Sequence, residues 1–309
     1  MSRHVRASDW SRVRRHLPSN TDTARHQRSH PKSVRLLDTQ PWVFSPPNGP
    51  KLALIAVAFR AMELGISART AAVAAGSAGL GFATAQALAN EGVRVVICSR
   101  DADRVAKAAK AIGNGCVGIV VDVSTGEGGA KFVREATAIL GHIDILVANG
   151  GGPPAGNFAS TELDAYPAAL EQNLLSVIGM CKEVLPGMQA RKWGRIVAIT
   201  SVAVRQPMAN LILSNTARAG VTGFLKTVAR EVAQDGVTVN TVQPGIHATD
   251  RITQLYGATP DASALGIPAG VAGDPADFGQ VVAFLCGEGA KFVTGASLQV
   301  DGGSYGGLL

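Results

Sequence analysis

The chain has 309 residues, 46% of them apolar and 17% charged, with a formal net charge of +6. That apolar share excludes a wholly disordered chain and suffices for a sizeable core. The longest apolar run near the N-terminus, Leu52 to Phe59, is stopped by Arg60 and falls well short of the ~18 residues of a membrane span, so no membrane is expected as a partner.

The charge is uneven. Residues 1–61 hold 11 Lys+Arg against 3 Asp, a balance of +8, which leaves −2 for 62–309. The excess that would suggest nucleic acid therefore belongs to the first 61 residues, and nucleic acid is not expected as a partner of the remainder. Residues 1–50 show neither helical nor strand periodicity and close on "SPPNGP". They read as a disordered basic extension. An Arg-rich targeting peptide and a nucleic-acid- or partner-binding arm are the alternatives. The four cysteines (Cys98, Cys116, Cys181, Cys286) form no CxxC or Cys/His cluster. They read as reduced thiols of a cytoplasmic protein, with no metal site.

From residue 70 strands and helices alternate. A buried strand is expected at 71–75, a helix at 79–91, a strand at 94–98, and a helix from Asp101, its N-cap. A strand at 117–121, a helix at 126–139 and a strand at 143–148 follow. One long helix is expected over 162–190, then a strand at 195–200, a helix at 212–234 and a strand at 237–242. A last helix at 276–287 precedes the strand 297–300. Residues 246–274, rich in Ala, Gly and Thr, read as a lid. The strands are short, Val/Ile-rich and apolar on both faces, as in a parallel sheet covered by helices. The expectation is an α/β fold: a single Rossmann-type, doubly wound domain over 62–309, with a seven-stranded parallel sheet and helices on both faces.

The first strand runs into "VAAGSAGLG", which places Gly76, Ser77, Gly79, Leu80 and Gly81 between strand and helix. Glycines there let the backbone approach a pyrophosphate, while the helix N-terminus offers free N–H groups. The second strand ends in Ser99-Arg100 rather than the acid that would bind a ribose 2′-hydroxyl. A guanidinium there suits a 2′-phosphate, so NADP(H) is the preferred cofactor and NAD(H) the alternative.

With those residues in place the chain resembles the short-chain dehydrogenase/reductase family, and within it the 3-oxoacyl-carrier-protein reductases. Beyond the Gly-rich turn, the likeness rests on Asp122-Val123 (the adenine contact), "VANGG" with Asn149 and Gly150, and Asn173 in "LEQNLLS". It continues through Ser201 in "IVAITS", "QPG" with Pro244 and Gly245, and "TGASLQVDGG" near the C-terminus. It implies hydride transfer between a nicotinamide and a small-molecule carbonyl or alcohol, and a homodimer or homotetramer. Asn173 and Ser201 would be two of four active-site residues. The other two, Tyr and Lys in the family, fall at Ser214 and Arg218. An alkyl hydroxyl is a far weaker acid than a phenol, and a guanidinium fork is not an ammonium point charge. Arg218 could still hold ribose hydroxyls. Ala75 also stands where the family has its first glycine. Three readings follow: an atypical NADP(H)-dependent reductase using Ser201, Asn173, Ser214 and Arg218, a non-catalytic nucleotide-binding sensor or partner subunit, or a structural remnant that binds no nucleotide. Tyr256 and Tyr305 are considered as substitutes for the missing Tyr but read first as packing or surface residues, and His247, after the Pro-Gly turn, reads first as a polar loop residue, with a place facing the cofactor as the alternative.

Overall fold

The computed structural model describes residues 63–257 and 261–308; the basic extension 1–61 lies outside them. In chain order the elements are β1 (Thr70–Val73), α1 (Gly79–Asn90), β2 (Arg94–Ser99), α2 (Ala102–Ile112), β3 (Val117–Val120), α3 (Gly126–Leu140) and β4 (Ile145–Ala148). There follow α4 (Ala165–Leu170), α5 (Ser176–Ala190), β5 (Gly194–Ile199), α6 (Ile212–Val232), β6 (Val237–Pro244), α7 (Asp250–Tyr256), α8 (Pro275–Cys286) and β7 (Ser297–Val300).

The seven strands form one sheet in the order β3-β2-β1-β4-β5-β6-β7, every neighbouring pair parallel. Strand periodicity divides its side chains between two cores. Ala72, Val96, Leu146 and Ile196 face one way, onto Phe132 of α3, Met180 of α5 and Leu225 of α6. Val73, Ile97, Ile145 and Val197 face the other way, onto Leu88 of α1, Val105 of α2 and Phe278 of α8. The sheet is therefore covered on both faces, as its apolar strands require. The order reverses between β1 and β4, and the crevice beyond their carboxyl ends is where such sheets bind ligands.

Four local features depart from the sequence reading. β1 ends at Val73, and Ala74 and Ala75 already belong to the turn. β3 is an edge strand with Val117 and Val120 exposed, because it has a neighbour on one side alone. The expected helix 162–190 is divided into α4, a π-turn at Glu171–Leu175 and α5. The expected lid contains α7.

Candidate active site

The turn after β1 is shaped by its glycines. A Cβ on Gly76 would stand 2.7 Å from Ile97 Cγ2, and one on Gly81 would stand 2.6 Å from both the Ala75 oxygen and Asn149 Nδ2. Gly79 has φ +55, a conformation that costs glycine little. Ala75, at the family's first glycine position, also takes a left-handed conformation, φ +47. The turn thus forms despite the substitution. The Ala75 N–H donates to Cys98 Sγ at 3.4 Å, and its carbonyl accepts from Asn149 Nδ2 at 3.3 Å. The N-cap of α1, Ala78, makes no side-chain cap, and the first turn carries no acid. Its N–H groups and positive dipole end are free for a phosphate. These features fit the diphosphate of a nicotinamide dinucleotide.

Around this turn lie the other expected cofactor residues. Ser99 Oγ accepts from the Asp101 N–H at 3.3 Å, and Arg100 beside it is exposed. Asp122 is exposed, its Oδ1 accepting from the Ser124 N–H at 2.9 Å, while Val123 packs on the core. Asn149 also donates to the Ala74 oxygen at 3.2 Å, clasping the Gly-rich turn from β4. Pro244 ends β6, and the Gly245 N–H donates to Val300 O at 2.9 Å. A Cβ on Gly245 would stand 2.8 Å from Asp301 Cα, so the close approach requires glycine.

Asn149, Gly150, Asn173 and Arg218 meet around a cavity of about 10 Å³ completed by Gln172 and Thr200, room for about one water. The π-turn places Asn173 there. Its extra residue widens the helix, as such turns do at functional sites, and buries Asn173 to 5% exposure. Arg218, on the second turn of α6, donates from Nη1 to Ile199 O at 2.8 Å. Its pKa is pushed down to about 10, first by burial and then by the charge of Arg251, so it stays a cation at neutral pH.

Ser201 lies two residues past the end of β5, and its Oγ accepts from the Ala203 N–H at 3.1 Å. That bond uses a lone pair and leaves the hydroxyl proton to be donated elsewhere. Ser214 is buried, 7% exposed, on the first turn of α6.

Some candidates are placed away from the chemistry. His247 is buried edge-on to Phe278 at 5.1 Å, with Nδ1 3.3 Å from Gly245 O. Burial lowers its pKa. It props the Pro-Gly turn from beneath. Tyr305 sits under the Arg205 guanidinium, 5.8 Å from ring centroid to Cζ. All four cysteines are free thiols, with Cys98, Cys181 and Cys286 each raised by burial to about 12.

Other residues of the site were not singled out from the sequence. Gln243, on the sheet face that α6 covers, is fully buried with both amide atoms unpartnered. Gln172 and Thr200 line the cavity. Arg251 of α7 donates from Nη2 to Pro153 O at 2.7 Å. The one signal for it was a lone cation in the Ala/Gly/Thr-rich stretch 246–274. A separate cleft of about 430 Å³ between α1 and residues 248–250 and 274–280 meets the Gly-rich turn at Gly79. Among the described residues there is no metal-binding cluster, and no helix is long and apolar enough to cross a membrane.

Comparison with known proteins agrees with this architecture. Residues 74–305 match the family model described as enoyl-(acyl carrier protein) reductase. The chain is 34% identical over 242 residues to the 3-oxoacyl-[acyl-carrier-protein] reductase of Vibrio cholerae, an alignment covering 78% of this chain and 99% of that one. It resembles the structure of L-sorbose reductase from Gluconobacter frateurii complexed with NADPH and L-sorbose, with TM-score 0.73, 28% identity, and coverage of 80% of this chain and 100% of that one. It also resembles an NADPH-bound short-chain oxidoreductase from Pseudomonas aeruginosa PAO1 described as containing an atypical catalytic center, with TM-score 0.72, 29% identity, and coverage of 77% and 97%. The fold and the ordered motifs define a Rossmann-type oxidoreductase. The chain belongs to the short-chain dehydrogenase/reductase family.

Proposed function

We propose that the protein is an atypical NADP(H)-dependent oxidoreductase that reduces a small carbonyl compound or oxidises the corresponding alcohol. The observation that carries this reading is the meeting of Asn149, Gly150, Asn173 and Arg218 at the carboxyl ends of β4 and β5. When bound, the nicotinamide supplies or accepts hydride. The chain's own residues do the rest. The turn 76–81 and the N-terminus of α1 hold the diphosphate. Arg100 favours a 2′-phosphate, and two structural neighbours are complexes with NADPH. Arg218 holds the ribose hydroxyls as hydrogen-bond acceptors. Ser201, its proton free, donates to the carbonyl oxygen. Asn173 borders space for one water, which together with Ser214 carries the proton that a phenol would otherwise supply.

Ser214 also favours a second reading. An alkyl hydroxyl is a poor general acid at neutral pH, and a chain that binds the nucleotide without turnover would be a sensor or partner subunit. Carbonyl-dependent NADPH oxidation separates the two. The enzyme reading expects turnover that falls on Ser201→Ala with NADPH affinity preserved. Binding without turnover across a panel of ketones and aldehydes would contradict it. If Ser214→Tyr with Arg218→Lys created activity in a chain that had none, the native protein would be the binding kind.

We also take 62–309 as one catalytic domain, cytoplasmic and assembled as a homodimer or homotetramer. Exposed Phe284 of α8, Phe292, and Leu298 of β7 support the assembly.

A further inference from the structure

Two guanidinium groups border the stretch 149–153 that follows β4. Arg218 lines the cavity with Asn149 and Gly150. Arg251 reaches from α7 onto the loop that continues from those residues. A Cβ on Gly152 would stand 3.0 Å from Arg251 Nη2 and 3.3 Å from its Nε, so the guanidinium rests on the bare backbone of Gly152. Its bond to Pro153 O fixes Nη2 at 2.7 Å and leaves the other donors of the fork for a ligand. The two charges are close enough for Arg251 to depress the pKa of Arg218.

Like charges so placed repel, and an ion pair normally relieves them. Among the described residues no carboxylate pairs with either arginine; the ion pairs of the molecule lie elsewhere. The cofactor's diphosphate has its own receptor in the Gly-rich turn and the uncapped N-terminus of α1. The nicotinamide ribose, held by Arg218, carries no charge. The crevice therefore keeps an unmatched positive charge on the side of Gly152 and Pro153.

We propose that Arg251, backed by Arg218, binds a carboxylate of the substrate, and that the protein acts on a small oxo acid in preference to a neutral ketone. The fork of Arg251 can meet a carboxylate through two parallel N–H donors. The proposal rests on the functional reading above and names its substrate class.

The test is calorimetric titration of the full chain, loaded with NADPH, by acetoacetate and phenylpyruvate, with methyl acetoacetate as the neutral control. The acids are expected to bind more tightly than the ester. Arg251→Gln should weaken the acids at least tenfold while leaving the ester and NADPH within twofold, and Arg251→Lys should restore part of the loss. An equal loss for acid and ester would overturn the proposal. So would failure of both acids to bind the wild-type complex, or a matching loss of NADPH affinity, which would assign Arg251 to a cofactor phosphate. If the wild-type chain fails to bind NADPH, the functional reading fails first. The acids are then titrated into the nucleotide-free chain, where binding that Arg251→Gln removes supports the receptor and no binding overturns it.

Discussion

Arg218 donates a hydrogen bond of 2.8 Å to the carbonyl oxygen of Ile199, tying the second turn of α6 to the last residue of β5. The bond holds a cation beside Asn149, Gly150 and Asn173, where the family resemblance places a lysine. Removing this guanidinium should weaken NADPH binding by about 10-fold to 100-fold, the scale of a lost charge-assisted hydrogen bond. Fluorescence titration of Arg218→Ala checks this, and an unchanged affinity would remove Arg218 from the cofactor site.

The same side chain should cost the free protein stability. Burial lowers its folded pKa from the ordinary guanidinium range to about 10, so the fold disfavours the charged form. Below about pH 10 both folded and unfolded chains carry the charge and the penalty is complete. It is relieved as pH rises above about 10 towards the ordinary guanidinium range. Arg218→Met, which fills similar volume without the charge, should therefore raise the melting temperature at pH 7 while weakening NADPH binding. A lower melting temperature would show that the bond to Ile199 outweighs the burial cost.

Cofactor choice is assigned to the end of β2. Arg100 is exposed there and Ser99 is engaged with the Asp101 N–H. Arg100→Glu should raise the Kd for NADPH at least about tenfold, with NADH unchanged or improved, since the substitution trades a phosphate partner for a ribose one. Parallel titrations with the two nucleotides measure it.

Ala75 is a residue in a conformation better suited to glycine, φ +47. The left-handed region costs an L-residue roughly 1–2 kcal/mol, and glycine returns about 0.5–1 kcal/mol of that in unfolded-state entropy. Ala75→Gly should thus stabilise the protein by about 0.5–1 kcal/mol in denaturant unfolding, with NADPH affinity retained or improved. Destabilisation would mean that the methyl group makes packing contacts worth more than the strain.

At the opposite end of the sheet, Trp193 lies between two cations, 3.8 Å from Arg69 Cζ and 4.2 Å from Arg195 Cζ, and donates to Glu288 Oε1 at 2.9 Å. Arg195 is 2% exposed with its Nε unpartnered; its Nη1 donates to Gly194 O at 2.9 Å and Gly236 O at 3.3 Å, and the ring and Glu288 add to that compensation. Trp193→Leu should cost about 2–4 kcal/mol of stability and leave nucleotide affinity unchanged. A change in affinity would couple this cluster to the site.

Much of this was legible in the residues. Val/Ile runs apolar on both faces gave the parallel sheet, because such strands must be covered twice. Gly76, Gly79 and Gly81 marked the turn, because close backbone approach excludes a Cβ. The π-turn at Asn173 was not legible, since residues 171–175 keep helical periodicity and the extra residue shows only in backbone bonding. Arg251 escaped because its role depends on α7 lying over Gly152, a contact across almost 100 positions of chain. The burial of His247 was not legible either: its place after the Pro-Gly turn suggested a polar loop residue, whereas it packs inward on Phe278.

The most direct test of the account is a nicotinamide-fluorescence titration of the full chain with NADPH and with NADH. Saturable binding of both is expected, tighter for NADPH. Absence of binding by either nucleotide would contradict it.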